Sequence, residues 1–274
     1  MTVRTHRVPL SDVLRTVEVR DPAGRVTVRA VEDADELMVT VEPLDEVAEQ
    51  LVDRVEVEVT RSHLRVTAPE RRLLRTPSFA IEVQTPPGAP VRVAVASADV
   101  TLTGRLGRAE LTSASGDVAV EHCAELQVRS ASGDTRVELV DGAATLASAA
   151  GDVRLGSAGG PARLRTASGE VSVDEGTGDL RVRTASGDVR VGRASAGTVR
   201  LTTVSGDATV GVEPGLRLWL DLTSVSGRLG SELEEDGAED AGGSTPDLAV
   251  LLQSVSGDLQ IRRALPGGAV PHGG

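Results

Sequence analysis

Six aspartates recur along the chain at the same place in a repeat, Asp117, Asp134, Asp152, Asp188, Asp207 and Asp258, and each follows a glycine. Columns of carboxylates suit hard cations, since Ca2+ collects six to eight oxygen ligands, and Gly- and Asp-rich β-rolls bind it through such repeats. A roll site needs ligands from two facing turns, whereas one corner per repeat carries Asp here, and Glu170 and Arg228 interrupt the row. Stacked carboxylates about 4.8 Å apart repel by about 1 kcal/mol per pair even in water. Turn capping answers that repulsion: Asp bonds nearby backbone N–H groups, and Arg136, Arg154 and Arg190 follow Asp134, Asp152 and Asp188 by two. That reading is favoured over calcium, and no metal or cofactor is expected.

A hydroxyl column, Ser113, Ser130, Ser148, Thr166, Thr184, Thr203, Ser224 and Ser254, raises nucleophilic chemistry. A serine nucleophile needs a base held by a third group, and His6, His63, His122 and His272 share no repeat phase. The hydroxyls are expected to satisfy turn backbone groups or one another. His122 and Cys123 adjoin, but neighbouring strand residues face opposite ways, so neither is read as a ligand. Paired carboxylates, the machinery of glycoside hydrolysis, occur too readily in such an array to be diagnostic. A carbohydrate-active β-helix enzyme, lyase or hydrolase on acidic polysaccharide, is the alternative reading.

The outward arginines are a sharper feature. Arg163, Arg165, Arg181, Arg183 and Arg200 should lie side by side on neighbouring strands, with Arg129 one or two coils away. They either pair laterally with Asp and Glu on adjacent strands or bind an anionic glycan, lipid headgroup or protein. Trp219, the single tryptophan, has the phase of an outward residue. It either packs under a neighbouring acidic insertion or marks a contact surface.

The elements that hold these columns follow from the repeat. Gly116, Gly133, Gly151, Gly169, Gly187, Gly206, Gly227 and Gly257 are separated by steps of 17, 18, 18, 18, 19, 21 and 30 residues. Ser97-Ala98-Asp99 is a degenerate earlier copy. Each copy reads strand, tight turn, strand, with period-two alternation, and the glycines suit a corner with positive φ. Two aliphatic columns keep phase: Leu111, Val128, Leu146, Leu164, Val182, Leu201, Leu222 and Leu252, then Val120, Val137, Leu155, Val173, Val191, Val210 and Ile261. Like residues at like phase predict an all-β parallel β-helix, or β-solenoid, of about nine 18-residue coils, each stacked on its predecessor.

Residues 1–90 read as an irregular β-rich N-terminal cap over the first open edge. Its strands are expected at Val17 to Val19, Arg25 to Arg29, Leu37 to Val41, Val55 to Thr60, Leu64 to Thr67 and Phe79 to Val83. Leu44, Val47 and Leu51 give one short helix helical spacing. Residues 91–263 form the array, interrupted by an acidic loop at 231–246, and 264–274 read as a disordered tail.

Composition narrows the functions. A net charge of -12 disfavours nucleic acid as partner. All 29 basic residues are arginine and aromatics make up 1% of the chain, so the core must be thin and aliphatic. The lone Cys123 excludes an intramolecular disulfide and a cysteine zinc site. Met1 to Leu10 lacks a signal-peptide apolar run, and no stretch approaches the roughly 20 apolar residues of a membrane helix. As written, the chain is expected to be cytoplasmic, with no membrane insertion.

The recurring units Ala114 to Val118, Ala185 to Val189 and the variant Val255 to Leu259, with the Pro-Pro-Gly approach at Pro86 to Gly88, resemble the bacterial putative-adhesin family of β-strand-repeat proteins. The resemblance covers roughly residues 15 to 263. It implies a parallel β-helix-like fold, a domain of unknown function with no catalytic residues to carry over, and envelope association or export. The expectation is a non-enzymatic scaffold or adhesin-like module for a protein or an anionic glycan or envelope component. Its oligomeric state is open.

Overall fold

The computed structural model describes residues 3–9, 15–69, 76–233 and 246–264. The chain folds as an all-β parallel solenoid and divides into two compact units, Met1–Asp141 and Gly142–Gly274.

The first unit holds β1 (Arg4–Pro9), β2 (Thr16–Ala30), β3 (Glu36–Pro43), α1 (Glu46–Leu51), a 3-10 turn at Val52–Arg54, β4 (Glu56–Val59), β5 (His63–Thr67), β6 (Phe79–Thr85), β7 (Val91–Ser113), β8 (Val118–Ser130) and β9 (Thr135–Val140). Long strand β2 runs parallel to β7, Val17 beside Val91 and Val26 beside Val100, so the parallel ladder already passes through the N-terminal segment. Strands β7, β8 and β9 continue it. On its other edge β2 meets β5 and β6. Antiparallel β4 then backs β5, while β3 and β1 back β6. Those antiparallel strands take up backbone groups that an open coil would leave unpaired. The short helix starts at Asp45, whose carboxylate accepts the Ala48 N–H at 2.7 Å and the Ser78 N–H at 3.0 Å.

The second unit contains β10 (Ala144–Ser148), β11 (Val153–Ala158), β12 (Ala162–Ser168), β13 (Val171–Gly176), β14 (Leu180–Ser186), β15 (Val189–Ala194), β16 (Gly197–Ser205), β17 (Ala208–Val212), β18 (Leu218–Ser226), β19 (Leu229–Ser231), β20 (Leu248–Ser256) and β21 (Leu259–Arg263). These make two parallel ladders, β10-β12-β14-β16-β20-β18 and β11-β13-β15-β17-β21-β19. The inward columns are buried, Leu164, Val182, Leu201 and Leu252 at 1% exposure or less, except in the coil of β18, where Leu222 is half-buried. A buried aliphatic side chain contributes roughly 1.5–3 kcal/mol, so repetition compensates for the missing aromatics.

One expectation fails. Coils were to stack in chain order, yet β20 sits between β16 and β18, with Leu252 beside both Leu201 and Leu222. The coil made of β18 and β19 therefore ends the ladders among the described residues, although 30 residues separate Gly227 from Gly257 in the later coil. Arg217, just before β18, and Asp247, just before β20, pair at the junction. Arg217 Nη2 and Nε donate to Asp247 at 2.7 and 3.0 Å, and the Arg217 N–H adds a bond at 3.1 Å. These bonds hold the Asp247 carboxyl down at a pKa of about 2.

The expected acidic insertion falls largely at residues 234–245, and most of the expected tail at 265–274; both lie outside the described residues.

Candidate functional site

Each corner follows from its glycine and its acid. Gly187 has φ 145° and Gly206 φ 133°. A Cβ on Gly206 would meet the Gly187 carbonyl oxygen at 2.4 Å, so coils approach too closely there for any side chain. Gly116, Gly133, Gly151, Gly169 and Gly257 share the positive φ, whereas Gly227, in the terminal coil, does not. Close approach alone demands glycine at Gly227, where a Cβ would stand 2.0 Å from the Gly257 oxygen.

The corner aspartates act between coils rather than within one. Asp99 Oδ1 accepts the Asp117 N–H at 3.0 Å and Asp117 Oδ1 that of Asp134 at 2.9 Å. In the second unit Asp152 accepts from Glu170, Asp188 from Asp207, Asp207 from Asp258, and Asp258 from Arg228, at 2.7 to 2.9 Å. Each carboxylate thus caps the same position one coil further on. Of the arginines expected to offset the corner acids, Arg190 pairs with Glu170, the corner acid one coil back, at 3.2 Å, and Arg154 with Asp174 at 3.2 Å. No group of three His, Cys, Asp or Glu side chains able to hold a metal occurs among the described residues.

The hydroxyl column divides. Ser113, Ser130, Ser148 and Thr166 donate to the carbonyl two residues on, at 2.8 to 3.1 Å. Thr184, Thr203 and Ser254 instead bury their hydroxyls without a partner among the described residues, against the expectation that all would be satisfied. His122 Nε2 lies 2.9 Å from Asp141 Oδ1, with Arg105 Nη2 3.5 Å from the other oxygen. The His122 hydrogen bond, with Arg105 assisting, draws the Asp141 carboxyl below its ordinary value. Cys123 points away from them into the core, where burial, with Asp141 adding to it, pushes its thiol up to about 12 and leaves it unreactive.

The structure brings the five outward arginines of the second unit together. Arg163, Arg181 and Arg200 occupy one register row across β12, β14 and β16, and Arg165 and Arg183 form the next. Neighbouring strands are about 4.8 Å apart. Lateral pairing does not occur: none of the five has a carboxylate partner among the described residues, and Arg200 Nε is buried with no acceptor in reach. Asp179, the nearby acid, uses its Oδ1 to accept the Thr198 N–H at 3.0 Å. Arg163, Arg181 and Arg200 line an open groove of about 260 Å³ with Pro161, Asp179 and Thr198. Thr145 and Ala147 flank the rows on β10, and Leu251 and Gln253 on β20. Arg129 belongs to the first unit, in register with Thr112.

Trp219 is 49% exposed on β18, beside Ala249. Sequence reasoning missed a separate exposed apolar row at the other end of these strands. Val204, Val225 and Val255 are 53%, 81% and 50% exposed, and they stand where Ala114, Ala131, Ala167 and Ala185 precede Ser-Gly in other copies. The Ala-to-Val change was the available signal.

The family model described as Toastrack DUF4097 matches residues 89–262. No curated protein matches the chain. Among solved structures, a putative adhesin from Parabacteroides merdae ATCC 43184 is 12% identical, with a TM-score of 0.56 over 94% of this chain and 95% of that one. A putative adhesin from Bacteroides fragilis NCTC 9343 is 12% identical at a TM-score of 0.46, covering 95% and 97%. A putative lipid binding protein from Parabacteroides distasonis ATCC 8503 is 12% identical at 0.45, covering 94% and 96%. At such identity the likeness is one of fold.

Proposed function

We propose a non-enzymatic binding role for this chain, which belongs to the Toastrack DUF4097 family. Its partner is an anionic glycan or envelope component, or a protein with an acidic surface, and it docks on the face formed by Arg163, Arg165, Arg181, Arg183 and Arg200. One observation carries the reading: five guanidinium groups stand in register on a chain of net charge -12 without carboxylate partners among the described residues. Like charges about 5 Å apart repel by roughly 1 kcal/mol per pair in water. An anion with repeated charges relieves that repulsion and gains bidentate hydrogen bonds. The adhesin names of structural neighbours agree with a binding role. No helix among the described residues is long and apolar enough to cross a membrane.

Titration with heparin and with neutral dextran tests the proposal, beside a variant with Arg163, Arg165, Arg181 and Arg183 changed to Ser. Heparin is expected to bind and dextran not, with about tenfold or greater loss in the variant and a shallower salt dependence. The same variant should lose partners captured from envelope extracts. Equal binding by parent and variant ends the reading. New reducing ends or unsaturated products from acidic polysaccharides would revive the enzyme alternative.

A further inference from the structure

We infer that the terminal coil is a self-association surface, on which β18 pairs antiparallel with β18 of a second copy about a two-fold axis at Leu222. The inference is independent of the arginine face. Three observations carry it.

First, β18 pairs only with β20 and β19 only with β21 among the described residues, so one edge of each lacks a strand. The lack of cover shows in the side chains. Leu218 and Leu220 are in register with Leu248 and Val250, both at 0% exposure, yet Leu220 is 37% exposed and Leu229, beside buried Leu259, 51%.

Second, this edge is undefended. Solvent-facing edge strands are normally guarded by charge, proline or bulges. The nine residues of β18, LWLDLTSVS, contain one charge, Asp221, and present Trp219 and Val225 outward.

Third, the edge is self-complementary in one direction and register. A further parallel coil would lack the corner carboxylate that caps the backbone of the outermost coils, as Asp207 caps Asp258 and Asp258 caps Arg228, because the terminal coil offers Arg228 instead. An antiparallel partner needs none. With the axis at Leu222, Trp219 faces Val225 of the second copy, Asp221 faces Thr223 and Leu220 faces Ser224, each pair occurring twice. Thr223 already donates to Asp221 within one strand, at 3.4 Å. Moving the axis to Asp221 would set the two carboxylates opposite each other, which like charges disfavour. Aromatic and β-branched cross-strand pairs, as Trp219 and Val225 would make, are favourable.

Sedimentation equilibrium of the full chain, followed beside Trp219 fluorescence across a dilution series, tests this. The parent is expected to approach twice its 28.3 kDa as concentration rises, with Trp219 emission moving to the red on dilution. Val225→Lys, at a position 81% exposed and so harmless to the coil, is expected to weaken dimerisation about tenfold or more while leaving the melting temperature of the dilute monomer unchanged. A chain that stays monomeric throughout overturns the inference, as does a dimer indifferent to Val225→Lys. If deleting residues 265–274 reddens Trp219 emission in a monomer, the chain's own terminus covers the edge and the inference fails.

Discussion

Asp21 lies in the bend of β2, 2% exposed, with Oδ1 accepting the Ala23 N–H at 3.4 Å and Oδ2 without a partner among the described residues. Burial raises its carboxyl from 3.8 to about 8, the Ala23 hydrogen bond opposing weakly. Between those values the folded chain holds a proton that the unfolded chain has released, so stability falls as pH rises through that window and then levels. Each tenfold difference in proton affinity between the folded and unfolded chain is worth about 1.4 kcal/mol, so Asp21→Asn should add up to a few kcal/mol at alkaline pH and converge with the parent near pH 4. Thermal melts across that range check it. Nothing in the sequence around Asp-Pro-Ala-Gly marked this residue, because it reads as a solvated turn between two strands. In the fold a single strand bends there and carries Asp21 inside. The inward Val and Leu positions were legible, since their phase repeats and burial follows phase.

At the scale of elements, the corner ladder and coil order explain each other. Interior coils with a corner Asp supply a carboxylate to the coil stacked on them, while Glu170 turns to Arg190 instead. The coil of β20 and β21 has Asp258, which caps its successor, whereas that of β18 and β19 has Arg228, offers no carboxylate and is last among the described residues. The substitution was visible in the sequence as a broken motif, but its meaning depends on a neighbour 30 residues away, which periodicity cannot reveal. Asp258→Ala should therefore cost about 1 kcal/mol, a typical hydrogen-bond contribution, while Arg228→Ala costs little. Urea melts of the two variants distinguish them. The same order governs the arginine rows. Arg200 stands beside Leu251, and Leu251 beside Asp221. Chain-order stacking in the same register would have set Asp221 next to Arg200. Sequence reasoning offered lateral pairing or anion binding for these arginines; which strands adjoin determines whether a carboxylate stands beside them, and that was not legible.

For the whole molecule, a net charge of -12 keeps the chain soluble and repels most polyanions at long range, so the arginine face should select ligands that make close, bidentate contacts over those held by diffuse attraction. The inserted coil adds a temporal dimension. At a synthesis rate of about 5–20 residues per second, residues 218–231 leave the ribosome seconds before residues 248–263. During that interval β18 has the register to sit directly on β16, with Asp221 quenching Arg200. A chain ended at Pro246 should retain that arrangement and bind heparin several-fold more weakly than the full chain, which parallel titrations would show. In the complete protein β20 occupies the row between them and keeps Asp221 one strand away from Arg200, so the separation of that carboxylate from the arginine rows depends on the last strands to be made.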